Sequence, residues 1–142
     1  MVESVFKYLP TPEQLNERGE DSLAQHLGIE FVEVTQEYLK AKMPVDHRTK
    51  QPMGILHGGA SAAFAETLGS IASLLCIDKP NNYPVGIEIN VNHLKSVSEG
   101  YVTGIVKPIR IGRTIHVWSI EIFNEANEMT AISRLTVMLT SK

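Results

Sequence analysis

The sequence predicts an α+β fold, a curved antiparallel sheet of about six strands wrapped around one long helix. Three observations predict it. Residues 58–77, GGASAAFAETLGSIASLLCI, have helical spacing and are apolar on nearly every side. Four alternating stretches of about ten residues follow Asn82, separated by short turns. Two shorter alternating stretches precede the helix. The chain has 142 residues, the length of a single domain covering residues 1–142.

The elements follow in order. Thr11-Pro12-Glu13 reads as a helix start, with threonine as cap and proline in the first turn. Leu15, Leu23 and Leu27 continue it at loose helical spacing through residue 28. Residues 29–34 and 38–43 each alternate with the two-residue period of a half-buried strand. Residues 45–56 form a loop. In the long helix, Phe64, Leu68, Ile71 and Leu75 make one apolar stripe. A second face holds Gly59, Ala62, Glu66, Gly69, Ser70 and Ser73, small residues around one carboxylate. That pattern predicts burial on both faces, with Glu66 set into the tight one. Strands are then expected over residues 85–97, 101–110, 114–123 and 128–140, as an antiparallel meander of four.

Composition narrows the function. Hydrophobic residues are 43% and charged residues 20%, which suits a globular chain. The net charge of −3 speaks against a polyanion binder, so any phosphate contact needs a local cluster of cations. Aromatic residues are 6%, with no stacking platform, so no nucleic acid partner is expected. Cys76 is the one cysteine, which excludes an internal disulfide and a multi-cysteine zinc site. The start, MVESVFKYLP, lacks a basic-then-apolar leader, and no apolar run nears the ~20 residues of a membrane span. A cytoplasmic protein without a membrane partner is expected.

Two features carry chemistry. A carboxylate removed from water is a stronger base or nucleophile than one in water, which singles out Glu66. The run Gln51-Pro-Met-Gly-Ile-Leu-His57-Gly58-Gly59 opens the same helix. First-turn N–H groups lack intrahelical partners and suit an anion or a developing oxyanion. A third, looser feature is cationic: His93 and Lys95, then Lys107, Arg110 and Arg113, near strand ends. Adjacent strands could bring the two groups side by side for phosphates. No two of the five histidines have metal-ligand spacing with a carboxylate, and no GxSxG elbow is present. No metal and no cofactor are expected.

At His57-Gly58-Gly59-Ala60-Ser61 through Ala65-Glu66-Thr67-Leu68-Gly69-Ser70, after MPVDHRTKQP, the sequence resembles the hotdog-fold acyl-CoA thioesterases. GIEINVNHLKS and EGYVTG extend the likeness over nearly the whole chain from about residue 12. The type is that of the phenylacetate pathway and of 4-hydroxybenzoyl-CoA. Within it the chain looks closest to the 1,4-dihydroxy-2-naphthoyl-CoA hydrolases of menaquinone synthesis, sisters of the proofreading thioesterases of enterobactin synthesis. The resemblance implies that Glu66 is the catalytic carboxylate, as nucleophile or general base. It implies that Gln51 and His57 orient the thioester and that the Gly58 N–H is the oxyanion donor. Ser70 matches a hydroxyl that helps hold water. Gly86, the segment His93, Leu94, Lys95, Ser96, and the segment Arg110, Ile111, Gly112, Arg113, Thr114, Ile115 match CoA-contacting positions. Arg110 stands where a histidine is usual, and Arg113-Thr114 departs from the small-then-basic order.

The expected function is hydrolysis of an aromatic acyl-CoA, dihydroxynaphthoyl or benzoyl-type. Alternatives are a proofreading thioesterase acting on an aryl carrier protein and a non-catalytic acyl-CoA binder. A hotdog dehydratase would want an Asp/His pair, and the helix offers Glu66 without a histidine partner. Gly58 and Glu66 are eight residues apart on one helix, about 12 Å along its axis. One chain therefore has difficulty supplying both to one thioester. A homo-oligomer is expected, at least a dimer and assembled as a dimer of dimers.

Overall fold

The computed structural model describes residues 3–78 and 81–141. Its elements are α1 (Pro12–Arg18), α2 (Leu23–His26), β1 (Glu30–Val34), β2 (Leu39–Pro44), α3 (Gly58–Leu74), β3 (Asn82–His93), β4 (Tyr101–Ile111), β5 (Ile115–Phe123) and β6 (Met129–Ser141). Six strands make one antiparallel sheet in the order β1-β2-β4-β5-β6-β3, with α3 against it. The predicted architecture is the one observed.

Helix α1 begins where Thr11 predicts it. The Gln14 N–H donates to the Thr11 hydroxyl and the Thr11 N–H donates to the Gln14 side chain, a reciprocal capping box. The single loose helix expected over residues 10–28 is two short ones, because Gly19 caps the first and Asp21 takes a positive φ of 58°. Asn16 ties α1 to the sheet. Its side chain accepts from the Phe31 N–H at 2.7 Å and donates to the Phe31 carbonyl at 3.2 Å.

The meander is shorter than predicted. Strands β4, β5 and β6 form it, but β3 pairs with β6 and β2 pairs with β4. Helix α3 carries the chain from β2 across the sheet to its far edge, where β3 runs. Residues 94–100 then cross back to start β4 beside β2. This return is pinned along its length: Leu94 and Lys95 N–H groups donate to the Thr130 carbonyl, the Leu56 N–H donates to the Val97 carbonyl, and the Val45 N–H donates to the Gly100 carbonyl.

The core lies between α3 and the concave face of the sheet. Phe64 and Leu68 are fully buried against Leu39, Met43, Trp118, Ile120 and Leu135, each side chain contributing about 1.5–3 kcal/mol. Gly69 brings α3 close to the sheet, since a Cβ there would stand 2.4 Å from Leu135. The second helical face splits. Gly69 and Ser73 are buried against the sheet, whereas Gly59 and Glu66 are exposed and Ala62 and Ser70 half-exposed. The predicted burial of Glu66 does not occur within one chain. The sheet reaches only one flank of the helix, so the other flank stays open. No helix among the described residues is long and apolar enough to cross a membrane.

Candidate active site

One group of predicted residues gathers at the start of α3. His57 is the N-cap, and its Nδ1 accepts from the Gly59 N–H at 2.7 Å. A neutral ring that accepts at Nδ1 carries its proton on Nε2, which makes His57 a donor toward solvent. The Ala60 and Ser61 N–H groups donate to the His57 carbonyl. Among the described residues no acceptor meets the Gly58 N–H. The first turn therefore exposes one free donor, at the residue where an oxyanion donor is expected.

Gln51 approaches the same point from the preceding loop. Its side-chain oxygen accepts from the Met53 N–H, and its own N–H donates to the Ile55 carbonyl at 2.9 Å. With the oxygen engaged, the amide NH2 is the group left to meet a ligand. The returning segment 94–100 closes the far wall. Gln51, Gly58, Ser61, His93, Lys95 and Ser96 line one cleft of about 260 Å³. A Cβ on Gly58 would stand 2.9 Å from His93 Nε2, so glycine lets that imidazole lie against the helix start. Lys95 is not a free cation: its ammonium sits 2.6 Å from Glu128, on an exposed pair. Lys95, with help from Asn124, holds the Glu128 carboxyl below its ordinary range.

A second group lies farther along α3. Glu66 is exposed, and its Oε2 is 3.2 Å from where a Gly86 Cβ would stand, so the absence of a side chain at Gly86 makes room for the carboxylate. Ser70, one turn on, shares a cleft of about 300 Å³ with Thr67, Ile71, Leu15, Leu23 and Phe31. The β4–β5 turn carries exposed Arg110, Arg113 and Thr114, with Ile111 42% exposed. Gly112 and Ile115 close this turn through a 2.8 Å hydrogen bond from the Gly112 N–H.

The two expected CoA-contacting segments do not meet in one chain. His93 is paired with Ala131 and Ile115 with Met138, seven residues apart on β6. That separation is about 23 Å. The side-by-side cationic cluster is thus corrected: antiparallel pairing places the two segments at opposite ends of the sheet. Sequence reasoning also missed the Lys95–Glu128 pair and the His57 cap. The cap was legible in principle, because a side chain with an acceptor just before a helix start is a capping signal.

A family profile, a relative and the solved structures of two proteins place the chain. The thioesterase superfamily profile matches residues 53–131. The 1,4-dihydroxy-2-naphthoyl-CoA hydrolase of Escherichia coli is 45% identical over 135 residues, covering 95% of this chain and 98% of its own. A Pseudomonas aeruginosa thioesterase, solved as a glutamine-to-alanine mutant, matches with a TM-score of 0.95 at 44% identity, over 98% of this chain and 100% of its own. A Staphylococcus aureus thioesterase has been solved with a glutamine replaced by alanine, at a TM-score of 0.80 and 35% identity over 83% of this chain and 98% of its own. The same protein solved with a glutamate replaced by alanine gives a TM-score of 0.81, also at 35% identity, over 84% and 99%. With its helix laid on a six-stranded antiparallel sheet, this chain belongs to the thioesterase superfamily, as a hotdog-fold thioester hydrolase.

Proposed function

We propose that the chain hydrolyses aromatic acyl-CoA thioesters at a site shared by two copies. The observation that carries this reading is the separation of Gly58 and Glu66. Both belong to α3, two turns apart, and each has its own neighbours, His93 for Gly58 and Gly86 for Glu66. The attacking atom must come within about 3–3.5 Å of the carbonyl carbon. The exposed flank of α3, Gly59, Ala62, Glu66 and Ser70, is small enough for a second α3 to pack antiparallel on it. Glu66 of one copy then faces Gly58 of the other.

The chemistry follows from the groups. The Gly58 N–H and the Gln51 amide NH2 take the thioester oxygen as it becomes negative. Either a water deprotonated by Glu66 attacks the carbonyl carbon and the thiolate departs, or Glu66 itself attacks, the thiolate departs, and water then opens the mixed anhydride to free the acid and the carboxylate. Thiolates leave readily at neutral pH, so a carboxylate and an oxyanion donor suffice without metal or cofactor. In the Staphylococcus aureus thioesterase the substituted glutamine and glutamate are fifteen residues apart, the spacing of Gln51 and Glu66. That agreement supports the pairing of the two roles. CoA phosphates are assigned to His93, Lys95, Arg110 and Arg113, drawn from both copies. The open edge of β3, with Val85 39% and Ile87 52% exposed, supports association as well. The same reading makes the enzyme cytoplasmic and a dimer of dimers.

A free-thiol assay on benzoyl-CoA, beside short- and long-chain acyl-CoA, tests the activity and the acyl class together. Release of thiol from benzoyl-CoA with the highest kcat/KM is expected. Binding without thiol release overturns hydrolysis, and preference for long chains overturns the aromatic assignment.

A further inference from the structure

Thr49 is 2% exposed in the loop before α3, and no step above uses it. Each of its polar groups is engaged. The hydroxyl donates to the Pro44 carbonyl at 2.7 Å and accepts from the Asp46 N–H at 3.1 Å. The Thr49 N–H donates to the Asp46 carbonyl at 3.0 Å, and the Thr49 carbonyl accepts from the His57 N–H at 2.8 Å. Pro44 ends β2 and His57 is the N-cap of α3, so this one buried residue joins the strand to the helix start.

Between Thr49 and His57 the chain makes a small hairpin. The Gln51 N–H donates to the Ile55 carbonyl and the Gly54 N–H to the Gln51 carbonyl, both at 2.9 Å, and Lys50 bridges Leu56. Proline at 52 is preset for such a turn, and Gly54 takes the left-handed φ of 83° that closes it. Gln51 stands on the first arm, His57 ends the second, and the Thr49–His57 hydrogen bond is the base. Within the hairpin the Gln51 side-chain oxygen is held by the Met53 N–H, which gives its amide NH2 one direction. The place of the whole hairpin beside Gly58 is set at the base. There the Asp46 carboxylate accepts from the Arg48 N–H at 2.9 Å and from the Arg48 guanidinium at 2.7 Å, which fixes the turn that presents the Asp46 N–H to Thr49.

We propose that Thr49 is a positioning residue: its hydroxyl, with the Asp46 turn behind it, fixes the hairpin so that the Gln51 amide NH2 meets the thioester oxygen beside the Gly58 N–H. This rests on the oxyanion role assigned above to Gln51. Without the hydroxyl, the Pro44 carbonyl and the Asp46 N–H lose their partner, and the hairpin is left free to tilt on the end of β2. A donor displaced by about 1 Å stabilises the transition state less. An interaction made only as charge develops on the oxygen lowers kcat when it is lost and leaves KM in place.

The test uses the full-length protein with benzoyl-CoA. Thr49→Val keeps the shape and removes the hydroxyl. Its kcat is expected to fall about tenfold with KM within about twofold. Thr49→Ser, which keeps the hydroxyl, should return kcat to within about threefold of wild type. A folded Thr49→Val with kcat within about twofold of wild type overturns the proposal. The Gln51→Ala background separates positioning from general damage. Gln51→Ala alone should lower kcat at least about 10²-fold. Adding Thr49→Val should then cost at most about twofold more, because the group it positions is gone. A further tenfold loss would make Thr49 merely structural and overturn the proposal. If Gln51→Ala retains kcat, the oxyanion reading of Gln51 fails and takes this role with it. If Gln51→Ala loses kcat and Thr49→Val does not, the positioning role alone is overturned. Should Thr49→Val not fold, Asp46→Ala decides, since it frees the same turn from its other side. Its kcat should fall at least about threefold at unchanged KM, with no further fall in the Gln51→Ala background, and an unchanged kcat overturns the proposal.

Discussion

The Gly59 N–H donates to His57 Nδ1 at 2.7 Å, which leaves Gly58 as the free donor of its turn. A single imidazole thus does two jobs. It caps α3, and it decides which backbone N–H of the first turn is left free. The contact is so close that a Cβ on Gly59 would stand 2.9 Å from the ring.

The cap and the outward Nε2–H are separable by substitution. Asparagine is a good N-cap, so His57→Asn should keep stability within about 1 kcal/mol, read by urea denaturation. It lacks the outward Nε2–H, so kcat should fall at least about tenfold. Full activity in that variant would assign His57 to the cap alone.

Glu66→Gln keeps size and removes the base and nucleophile. The expected fall in kcat is about 10²–10⁴, with circular dichroism unchanged. Because Glu66 is exposed in one chain, its loss should not unfold the monomer. A folded variant retaining more than about a tenth of wild-type kcat would remove Glu66 from the mechanism. Single-turnover reaction in H2¹⁸O separates nucleophile from base, since label enters Glu66 only if the carboxylate attacks.

A mixing experiment tests the shared site. Glu66→Ala and Gln51→Ala oligomers should each be nearly inactive. In a mixed dimer one site holds both lesions and the other holds neither. Random reassortment makes about half the dimers mixed, so up to about a quarter of wild-type activity should return. No recovery after verified subunit exchange would place both residues of one chain in one site.

The buried His116 sets an acid limit on stability. Burial holds its imidazole below the ordinary histidine range, with the Gly112 carbonyl acting in the opposite sense. The unfolded chain then binds a proton that the folded chain refuses. Its contribution is whole above about pH 6.5 and is lost as pH falls from there toward the folded value. Urea midpoints between about pH 7.5 and 5.5 should decline in the wild type and decline less in His116→Gln. Parallel declines would exclude His116 as the source.

Core substitutions should differ in sign. Ser133 is 3% exposed and its hydroxyl has no partner among the described residues, so Ser133→Ala should be neutral or stabilising by up to about 1 kcal/mol. Leu68→Ala should cost about 2–5 kcal/mol, because Leu68 is fully buried beneath the sheet. Denaturant midpoints measure both. A destabilised Ser133→Ala would reveal a partner for its hydroxyl in the assembled oligomer.

Local chemistry was legible in the sequence, and long-range pairing was not. Thr11 announced α1, the stripe of Phe64 and Leu68 announced α3, and alternation located all six strands. Strand order escaped, because alternation states which residues face inward and is silent on which strand lies alongside. Hence β3 was placed next to β4 when it pairs with β6. The small-residue face misled for a related reason. Gly69 and Ser73 meet the sheet, but Gly59 and Glu66 lie on the open flank, and residue size alone does not distinguish a sheet from a second copy of the helix. The buried Ser73–His116 contact was illegible because the two residues are 43 apart in sequence and only the fold joins them.

The return segment 94–100 has a consequence for how the protein is made. The cleft at Gly58 takes a wall from His93 and Lys95, both held by β6: His93 pairs with Ala131, and the Lys95 N–H donates to the Thr130 carbonyl. Strand β3 likewise has no neighbour until β6 exists. As the chain leaves the ribosome, the helix and its free N–H come first, but the wall beside them must wait for the last strand. During that wait β3 is an unpaired strand with Val85 and Ile87 uncovered, the kind of edge that recruits other chains. The order of synthesis therefore withholds activity until β6 has emerged, and it makes the interval before β6 arrives the time of greatest aggregation risk.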